Sequence, residues 1–155
     1  MENAQEKVSL KGVYTFTIRD AETGKVKRVY RYENIVPTVG RTLIANNLTD
    51  TTPDNNPWVT HVALGTGTNA PANGDTTLQT ETYRNAVASR TNASNIAYVT
   101  GFFSATETSG TFREAGIFCA ATGTANSGVL LSRVAINVVK TTSETLTMDW
   151  TLTIS

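Results

Sequence analysis

Few residues of this chain belong to the types that carry out catalysis, and they are far apart in the sequence. His61 is the only histidine and Cys119 the only cysteine. A nucleophile requires a neighbouring base that activates it, but no Gly-x-Ser-x-Gly segment is present, and His61 lies between Thr60 and Val62 in a predicted strand. His61 and Cys119 also cannot provide the nitrogen and sulfur ligands of a closed zinc site. We therefore predict no catalytic residues and a protein that is not an enzyme.

The segment Gly65-Thr66-Gly67-Thr68-Asn69-Ala70 has the spacing of a dinucleotide-binding turn. In such turns a strand leads into Gly-x-Gly-x-x-Gly or Ala, and backbone N–H groups at a helix N-terminus hold a pyrophosphate. Here Pro71 follows, and the next residues lack the four-residue apolar repeat of a helix. No strand–helix–strand unit surrounds the segment, so we predict no bound cofactor.

A second polar segment contains oxygen ligands of the kind that calcium prefers. Asp50, Asp54 and Asn56 are close together in the sequence, and a hard cation takes six to eight oxygen ligands. Their spacing differs from that of an EF-hand loop, and Asp and Asn beside prolines are common turn residues. We assign no metal site, and ion binding by residues 50–56 stays an open alternative.

Elsewhere the sequence predicts strands with one apolar face. The pattern is clearest at the C-terminal end, where every second residue from 146 to 154 is apolar and the residues between are Thr or Asp. Such alternation is typical of a strand that buries one face. Turn-forming residues separate similar segments, and strands are predicted near 8–18, 25–35, 58–64, 82–90, 96–104, 112–120, 129–139 and 145–154.

One segment has a helical repeat instead. Val39 and Leu43 are four residues apart, as are Ile44 and Leu48, which places each pair on one helix face. The spacing predicts a short helix near residues 38–48, which lacks a capping box and contains a destabilising glycine.

Many short strands with turn residues between them predict an all-β protein. We expect an antiparallel β-sandwich, jelly-roll-like or of Greek-key type, with the one short helix near residues 38–48. Residues 1–33 are predicted to form an N-terminal β-hairpin that acts as an assembly or attachment arm. Residues 34–155 are predicted to form the sandwich domain.

The charge composition argues against two classes of partner. The chain has 13 basic and 13 acidic residues and a formal net charge of zero, unlike a nucleic-acid or anionic-membrane binder. No stretch approaches the ~20 apolar residues of a membrane span, and the N-terminal residues lack the apolar core of a signal peptide. We expect synthesis in a cytoplasm, no membrane insertion and no nucleic-acid binding. The largest basic group is interpreted as a solvated edge or interface strand, and it consists of Lys25, Lys27, Arg28 and Arg31.

Four short motifs occur in order along residues 34–154. They are Asn34-Ile35-Val36-Pro37 with Gly40 and Leu43-Ile44-Ala45; His61-Val62-Ala63-Leu64-Gly65-Thr66-Gly67-Thr68-Asn69-Ala70-Pro71 with Asp75-Thr76-Thr77-Leu78, Glu81 and Arg84; Arg113-Glu114-Ala115-Gly116-Ile117-Phe118; and Leu131-Ser132-Arg133-Val134 with Lys140-Thr141-Thr142 and Thr145-Leu146-Thr147. Together they resemble segments of tail-fibre and tail-associated virion proteins of bacteriophages. The residues before Asn34 have no counterpart in this resemblance.

The resemblance implies a non-enzymatic structural component of a tailed-bacteriophage virion, associated with a tail fibre, tail tip or baseplate. A capsid decoration protein that stabilises the head is the alternative within this class. The implied location is the virion. The implied partners are other virion proteins and further copies of the chain, with a homotrimer favoured, and a host surface glycan or receptor is a further candidate.

If the resemblance holds, charged residues fasten a long loop to the sheet. We expect Arg113 and Glu114, at a strand start, to pair with Glu81 or Arg84 and so to hold the loop at 65–77. Gly116 is expected to permit the close approach of a neighbouring backbone. In the alternative interpretation Arg113 and Glu114 both face solvent.

Loops on a rigid scaffold commonly carry recognition, so partner contacts are assigned to the loops at 49–57, 65–77 and 122–128. A carbohydrate-binding module is the main alternative of another class. Sugar sites usually present an exposed aromatic ring beside amides and carboxylates, and Trp58 is close in sequence to the polar residues 54–56. Burial of Trp58 in the core is the competing interpretation, since large aromatics dominate cores. The candidate contact residues are Asp54, Asn55, Asn56, Trp58, Asn69, Asn73 and Asp75.

Overall fold

A computed structural model describes residues 7–49 and 58–155 of the chain. The described residues form two antiparallel sheets that pack face to face as a β-sandwich, which confirms the predicted fold class. Sheet A has the strand order β2-β1-β9-β6-β5, and sheet B has the order β4-β3-β7-β8. The elements are β1 (Leu10–Asp20), β2 (Val26–Asn34), α1 (Thr38–Thr49), β3 (Val59–Gly65), β4 (Glu81–Ala86), β5 (Ser89–Ala93), β6 (Ile96–Phe103), β7 (Gly110–Cys119), β8 (Val129–Lys140) and β9 (Glu144–Ile154).

Hairpins alternate between the two sheets along the chain. β1–β2 and β5–β6 belong to sheet A, β3–β4 and β7–β8 belong to sheet B, and β9 completes sheet A between β1 and β6. β1 pairs with β9 along its full length, from Leu10 opposite Ile154 to Asp20 opposite Glu144. The structure thus places the N-terminal hairpin inside the sandwich, where β1 is an interior strand, and not beside it as a separate arm.

The core lies between the sheets and consists of alternate residues of the strands. In β9, Leu146, Met148 and Trp150 are buried, while the Thr and Asp residues between them are partly exposed. In β1, Tyr14 and Phe16 are fully buried, and their rings stack with 5.8 Å between centroids. Burial of a large apolar side chain contributes about 1.5–3 kcal/mol, so these two adjacent strands supply a large part of the driving force for folding.

Helix α1 packs against β8, the edge strand of sheet B, and its Leu43 belongs to the main core. Gly40 faces this strand, and a Cβ at position 40 would lie 2.8 Å from the carbonyl oxygen of Leu131. The glycine lowers the intrinsic stability of the helix but permits this close approach. Val39 of the helix and Leu78 of a loop cover Phe118 and its neighbours, which forms a second, smaller apolar cluster outside the main core.

The single strand predicted for residues 82–90 is wrong, because this segment forms two strands in different sheets. β4 lies in sheet B and β5 in sheet A. At the corner between them, the N–H of Val87 donates to Thr60 of β3, and the N–H of Ala88 donates to Thr100 of β6. No glycine or proline lies at this corner, so the sequence has no turn signal there.

Side chains of β2 close one side of the sandwich by reaching the edge of β8. The hydroxyl of Tyr32 accepts a hydrogen bond of 3.2 Å from the N–H of Asn137. Arg28 donates to the carbonyl oxygen of Val139, also at 3.2 Å. Backbone groups of Asn137 and Val139 on this edge strand therefore have partners, which hinders pairing of the edge with another chain.

Two of the basic residues of β2 are ion-paired and not simply solvated. Arg28 and Lys27 lie 2.8 and 3.0 Å from the carboxylate of Glu144, whose side chain is almost fully buried. Burial alone would raise the pKa of Glu144, but the N–H of Thr141 and these two cations outweigh it and lower the pKa to about 2. β2 is thus the edge strand that its basic residues predicted, and it is fixed to the start of β9 by charge.

Candidate interaction site

Two loops lie on the outer face of sheet B, and the first of them contains the predicted contact residues Asn69, Asn73 and Asp75. We call residues 66–80 and 120–128 the loop layer. Both segments lack helix and strand, yet an arginine–glutamate cluster attaches each of them to the sheet. The geometry of these two clusters determines how rigid the loop layer is.

Arg133 of β8 attaches the first loop. Its Nη1 donates to the Asp75 carboxylate at 2.5 Å, and its Nη2 donates to the carbonyl oxygen of Asn69 at 3.2 Å. Nε and Nη2 both donate to Oε2 of Glu114, at 3.2 and 2.9 Å. The side chains of Arg133 and Glu114 are only 3% and 1% exposed. A charged pair withdrawn from water needs complete hydrogen bonding, and the planar fork of arginine provides it here.

Glu114 of β7 is the acceptor at the centre of this cluster. Besides Arg133, its carboxylate accepts hydrogen bonds from the N–H groups of Gly67, Gln79 and Thr80, at 3.1, 2.9 and 2.7 Å. A Cβ at position 67 would lie 2.5 Å from Oε1, so this approach requires a glycine. The segment with the spacing of a dinucleotide turn therefore directs the Gly67 amide at a carboxylate of its own chain.

A second cluster attaches residues 120–128. Arg84 and Glu81 of β4 form a bidentate pair with distances of 2.6 and 2.8 Å, and both side chains are almost fully buried. Arg84 also donates to the carbonyl oxygens of Thr122 and Ser127, at 3.0 and 3.2 Å. Its guanidinium lies 4.4 Å from the ring centroid of Phe118, within cation–π range. One arginine thus joins the strand, the second loop and the outer apolar cluster.

The ion pairs therefore differ from those expected from the sequence. Glu81 and Arg84 pair with each other, and Glu114 pairs with Arg133. Glu114 does hold the loop, as expected, but Arg113 is exposed and has no ion pair within the described part of the chain. Arg113 lies where the β7–β8 register shifts, and this irregularity turns its side chain away from the cluster.

Sequence reasoning missed Arg133 as a site residue and misjudged Gly116. A Cβ at position 116 would meet side-chain atoms of Leu78 and Leu130, at 3.0 and 3.1 Å, and not a neighbouring backbone. For Arg133 a signal was available. It lies in the mostly apolar, buried first half of β8, and a charge in a buried strand requires a partner of opposite charge.

The other predicted contact residues are dispersed. Asn73 is exposed, and its carbonyl oxygen accepts a hydrogen bond of 2.9 Å from the N–H of Thr38 at the start of α1. Trp58 is 57% exposed, so its interpretation as a core residue is wrong. The register of β3 shifts just after Val59, and the inward alternation does not extend back to position 58. Three predicted residues lie outside the described part of the chain, namely Asp54, Asn55 and Asn56.

An apolar groove of about 730 Å³ runs beside α1, where β1 begins and β9 ends. Val8, Leu10, Ile44, Leu48 and Ile154 all line it. Leu48 is 83% exposed and Val8 71% exposed. The helix face of Ile44 and Leu48 therefore borders this groove, and Ile44 also packs against the main core. Contiguous exposed apolar surface commonly marks an interaction site.

Three titratable groups outside the two clusters have shifted pKa values. Burial raises the pKa of Cys119 to about 12, so its thiol stays protonated. Burial, and then the charge of Arg84, lowers the pKa of His61. Burial also lowers the pKa of Lys140, whose ammonium donates to the carbonyl oxygen of Thr108 at 2.5 Å. In the described part of the chain no three metal-ligating side chains come together, and no helix is long and apolar enough to cross a membrane.

No protein-family model matches the chain, and neither a curated protein nor a solved structure shows significant similarity to it. The function is therefore inferred from the geometry of the loop layer and from the ordered motifs of the sequence.

Proposed function

We propose that the chain is a non-enzymatic structural component of a tailed-bacteriophage virion, associated with a tail fibre, tail tip or baseplate. The observation that carries the proposal is the loop layer, in which buried Arg133–Glu114 and Arg84–Glu81 pairs hold polar loops on a β-sandwich. Loops that are ordered before contact lose less conformational entropy on binding. Such a layer suits a protein that forms fixed contacts in a particle. The four motifs that resemble phage tail proteins support the same assignment.

The molecule works through its shape in this proposal. The loop layer, with Asn69 and Asn73, faces a partner protein or a host surface. The apolar groove beside α1 receives a neighbouring virion protein, because an apolar side chain placed there removes Leu48 and Val8 from water. Symmetric copies of a chain bury equivalent surfaces, and a trimer is the assembly expected in a fibre.

Immunogold electron microscopy tests the proposal and its alternative. An antibody raised against the purified chain is applied to tailed-phage particles from the source strain, both intact and partly disassembled. Label on the tail is the expected result. Label over the capsid would assign the chain to decoration of the head. Particles that carry no label in either preparation would contradict a virion role.

A carbohydrate-binding module is the second candidate, and the exposure of Trp58 favours it. Trp58 lines a groove of about 400 Å³ together with Arg90 and Asn92. An aromatic ring offers an apolar face to a sugar, and amide and guanidinium groups fix the orientation of a polar ligand. The chain has two tryptophans and Trp150 is buried, so a change in fluorescence on adding glycans reports on Trp58. A change that persists in Trp58→Phe, or no change with any bacterial surface glycan, contradicts this function.

A further inference from the structure

The two outer faces of the sandwich differ in what covers them. Helix α1 and the loop layer cover sheet B, whereas no described element packs on the outer face of sheet A. Threonine is the commonest residue of this face, and in β9 threonines alternate with the core residues. Three large apolar side chains are exposed among them, namely Val29 at 57%, Phe102 at 44% and Tyr98 at 38%. Lys11, ion-paired with Glu33, lies towards one end of this face and the exposed Arg19 at the other, and exposed apolar groups are typical of a contact surface.

Two charges lie in one row across this face. Thr15 of β1 is opposite Arg31 of β2 on one side and opposite Asp149 of β9 on the other. The two charges are therefore two strand spacings apart, about 9.6 Å, which is too far for a direct ion pair. Neither has an oppositely charged partner among the described residues, and the Asp149 carboxylate accepts a hydrogen bond of 2.7 Å from the hydroxyl of Thr100.

We propose that the outer face of sheet A binds a second copy of this chain, face to face about a two-fold axis that runs along β1. Rotation about this axis exchanges the positions on either side of β1. Arg31 of one copy then lies over Asp149 of the other copy, and Asp149 of the first copy lies over Arg31 of the second. The two charges, which have no partner within one chain, thus form two equivalent ion pairs between the copies. No other two-fold axis in the plane of the face forms both of these ion pairs.

The same rotation covers one of the three exposed apolar side chains, Val29, while Phe102 and Tyr98 of β6 lie beside the overlapping strands. Val29 lies in the row of Thr17 and Thr147, so it packs on Thr147 of the other copy. The strands that overlap fully are β2, β1 and β9. With a width of about 4.8 Å per strand and a length of about 3.3 Å per residue, nine residues of each strand give a contact area of about 430 Å² per copy. A standard interface buries about 800 Å² per partner. We expect reversible association that depends on protein concentration and weakens with salt.

This contact goes beyond the proposed virion role and does not depend on it. A two-fold contact gives an even number of chains, which is two from this face alone, or six if a three-fold axis is also present. The native mass therefore separates this contact from a simple trimer.

Sedimentation velocity over a wide range of concentration tests the contact in the wild-type chain and in Arg31→Glu, Asp149→Lys and the double variant. The wild type is expected to reach the mass of two or six chains. Each single reversal is expected to weaken association by about tenfold or more, because like charges then face each other twice. The double reversal restores opposite charges and is expected to restore the affinity. Arg113→Glu is the matched control, an exposed arginine of sheet B, and leaves the mass unchanged.

A wild-type chain that is monomeric or only trimeric at every concentration overturns the proposal, as does a double variant that fails to recover. If Asp149→Lys does not fold, the same measurement on Asp149→Asn tests the contact. This substitution removes both attractions without adding repulsion, so unchanged association in this variant also overturns the proposal. None of these outcomes alters where the antibody labels phage particles, so failure of this contact is distinct from failure of the virion assignment.

Discussion

Replacing Arg133 by methionine is expected to destabilise the protein because it leaves two carboxylates without their cation. Removal of one partner from a buried ion pair costs about 3–5 kcal/mol. Glu114 keeps three backbone N–H bonds in the variant, and Asp75 is partly hydrated, with 21% of its side chain exposed. We therefore expect a loss in the lower half of that range, about 3–4 kcal/mol. This is a large fraction of the ~5–15 kcal/mol that stabilises a typical domain.

Urea unfolding followed by the fluorescence of the buried Trp150 measures this loss. The midpoint should fall while the slope with denaturant stays the same, since the surface exposed on unfolding is unchanged. In a chain of this length each kcal/mol corresponds to about 2–4 °C in the melting temperature, so Arg133→Met should melt about 10 °C lower. Arg113→Met is the control, because an exposed arginine without an ion pair should change stability by less than about 0.5 kcal/mol.

A loss below about 1 kcal/mol in Arg133→Met, or equal losses in it and in Arg113→Met, would refute the reasoning that the buried pair anchors the loop layer. Hydrogen exchange gives the location of the effect. Amide exchange should accelerate in residues 66–80, while residues 120–128, held by Arg84, should keep their protection. Acceleration throughout the chain would indicate global destabilisation without a specific role in the loop.

Three further outcomes follow from buried groups. Because the pKa of Glu144 is lowered to about 2, its contribution is complete above the unfolded value of about 4.3 and is lost as the pH falls towards 2. Urea titrations from pH 5 to 2 should show a steeper loss of unfolding free energy in the wild type than in Glu144→Gln. The same pH dependence in both proteins would contradict this. The lowered pKa values of Asp20 and Glu107 affect both proteins equally. Cys119 should react with a thiol reagent only at the rate of unfolding, and rapid labelling of the native protein would show that it is accessible. Gly40→Ala should lower stability by about 1–3 kcal/mol by urea unfolding, and a gain would mean that α1 does not approach β8 so closely.

Period-two patterning predicted most strands of this fold. In β9 and β1 the side chains that reach the core are apolar and those between are polar, so sequence alternation and burial coincide. The corner at Val87 and Ala88 was not predictable in this way. Its turn is made by two hydrogen bonds to strands distant in sequence, and Ala and Val are equally acceptable in a continuous strand.

The candidate site was predicted only in part. Glu114 and the loop after Gly65 were linked correctly, although Glu114 lies in the middle of β7 and not at the expected strand start. The arginine partner of Glu114 was expected to be Arg84 of β4, whereas the structure provides Arg133 from β8, the strand next to β7. Register shifts decide which residues share a face, and those beside Arg113 and Trp58 leave no mark in the residue types.

The position of β9 between β1 and β6 has a consequence for synthesis on the ribosome. Both neighbours of β9 are made before it, so each has one strand edge unpaired until residues 144–154 emerge. During that interval Tyr14 and Phe16 have no complete core to enter, and contacts between the two ends of a chain form slowly. Nascent chains on neighbouring ribosomes then carry complementary open edges, which favours exchange of β9 between copies or capture by chaperones.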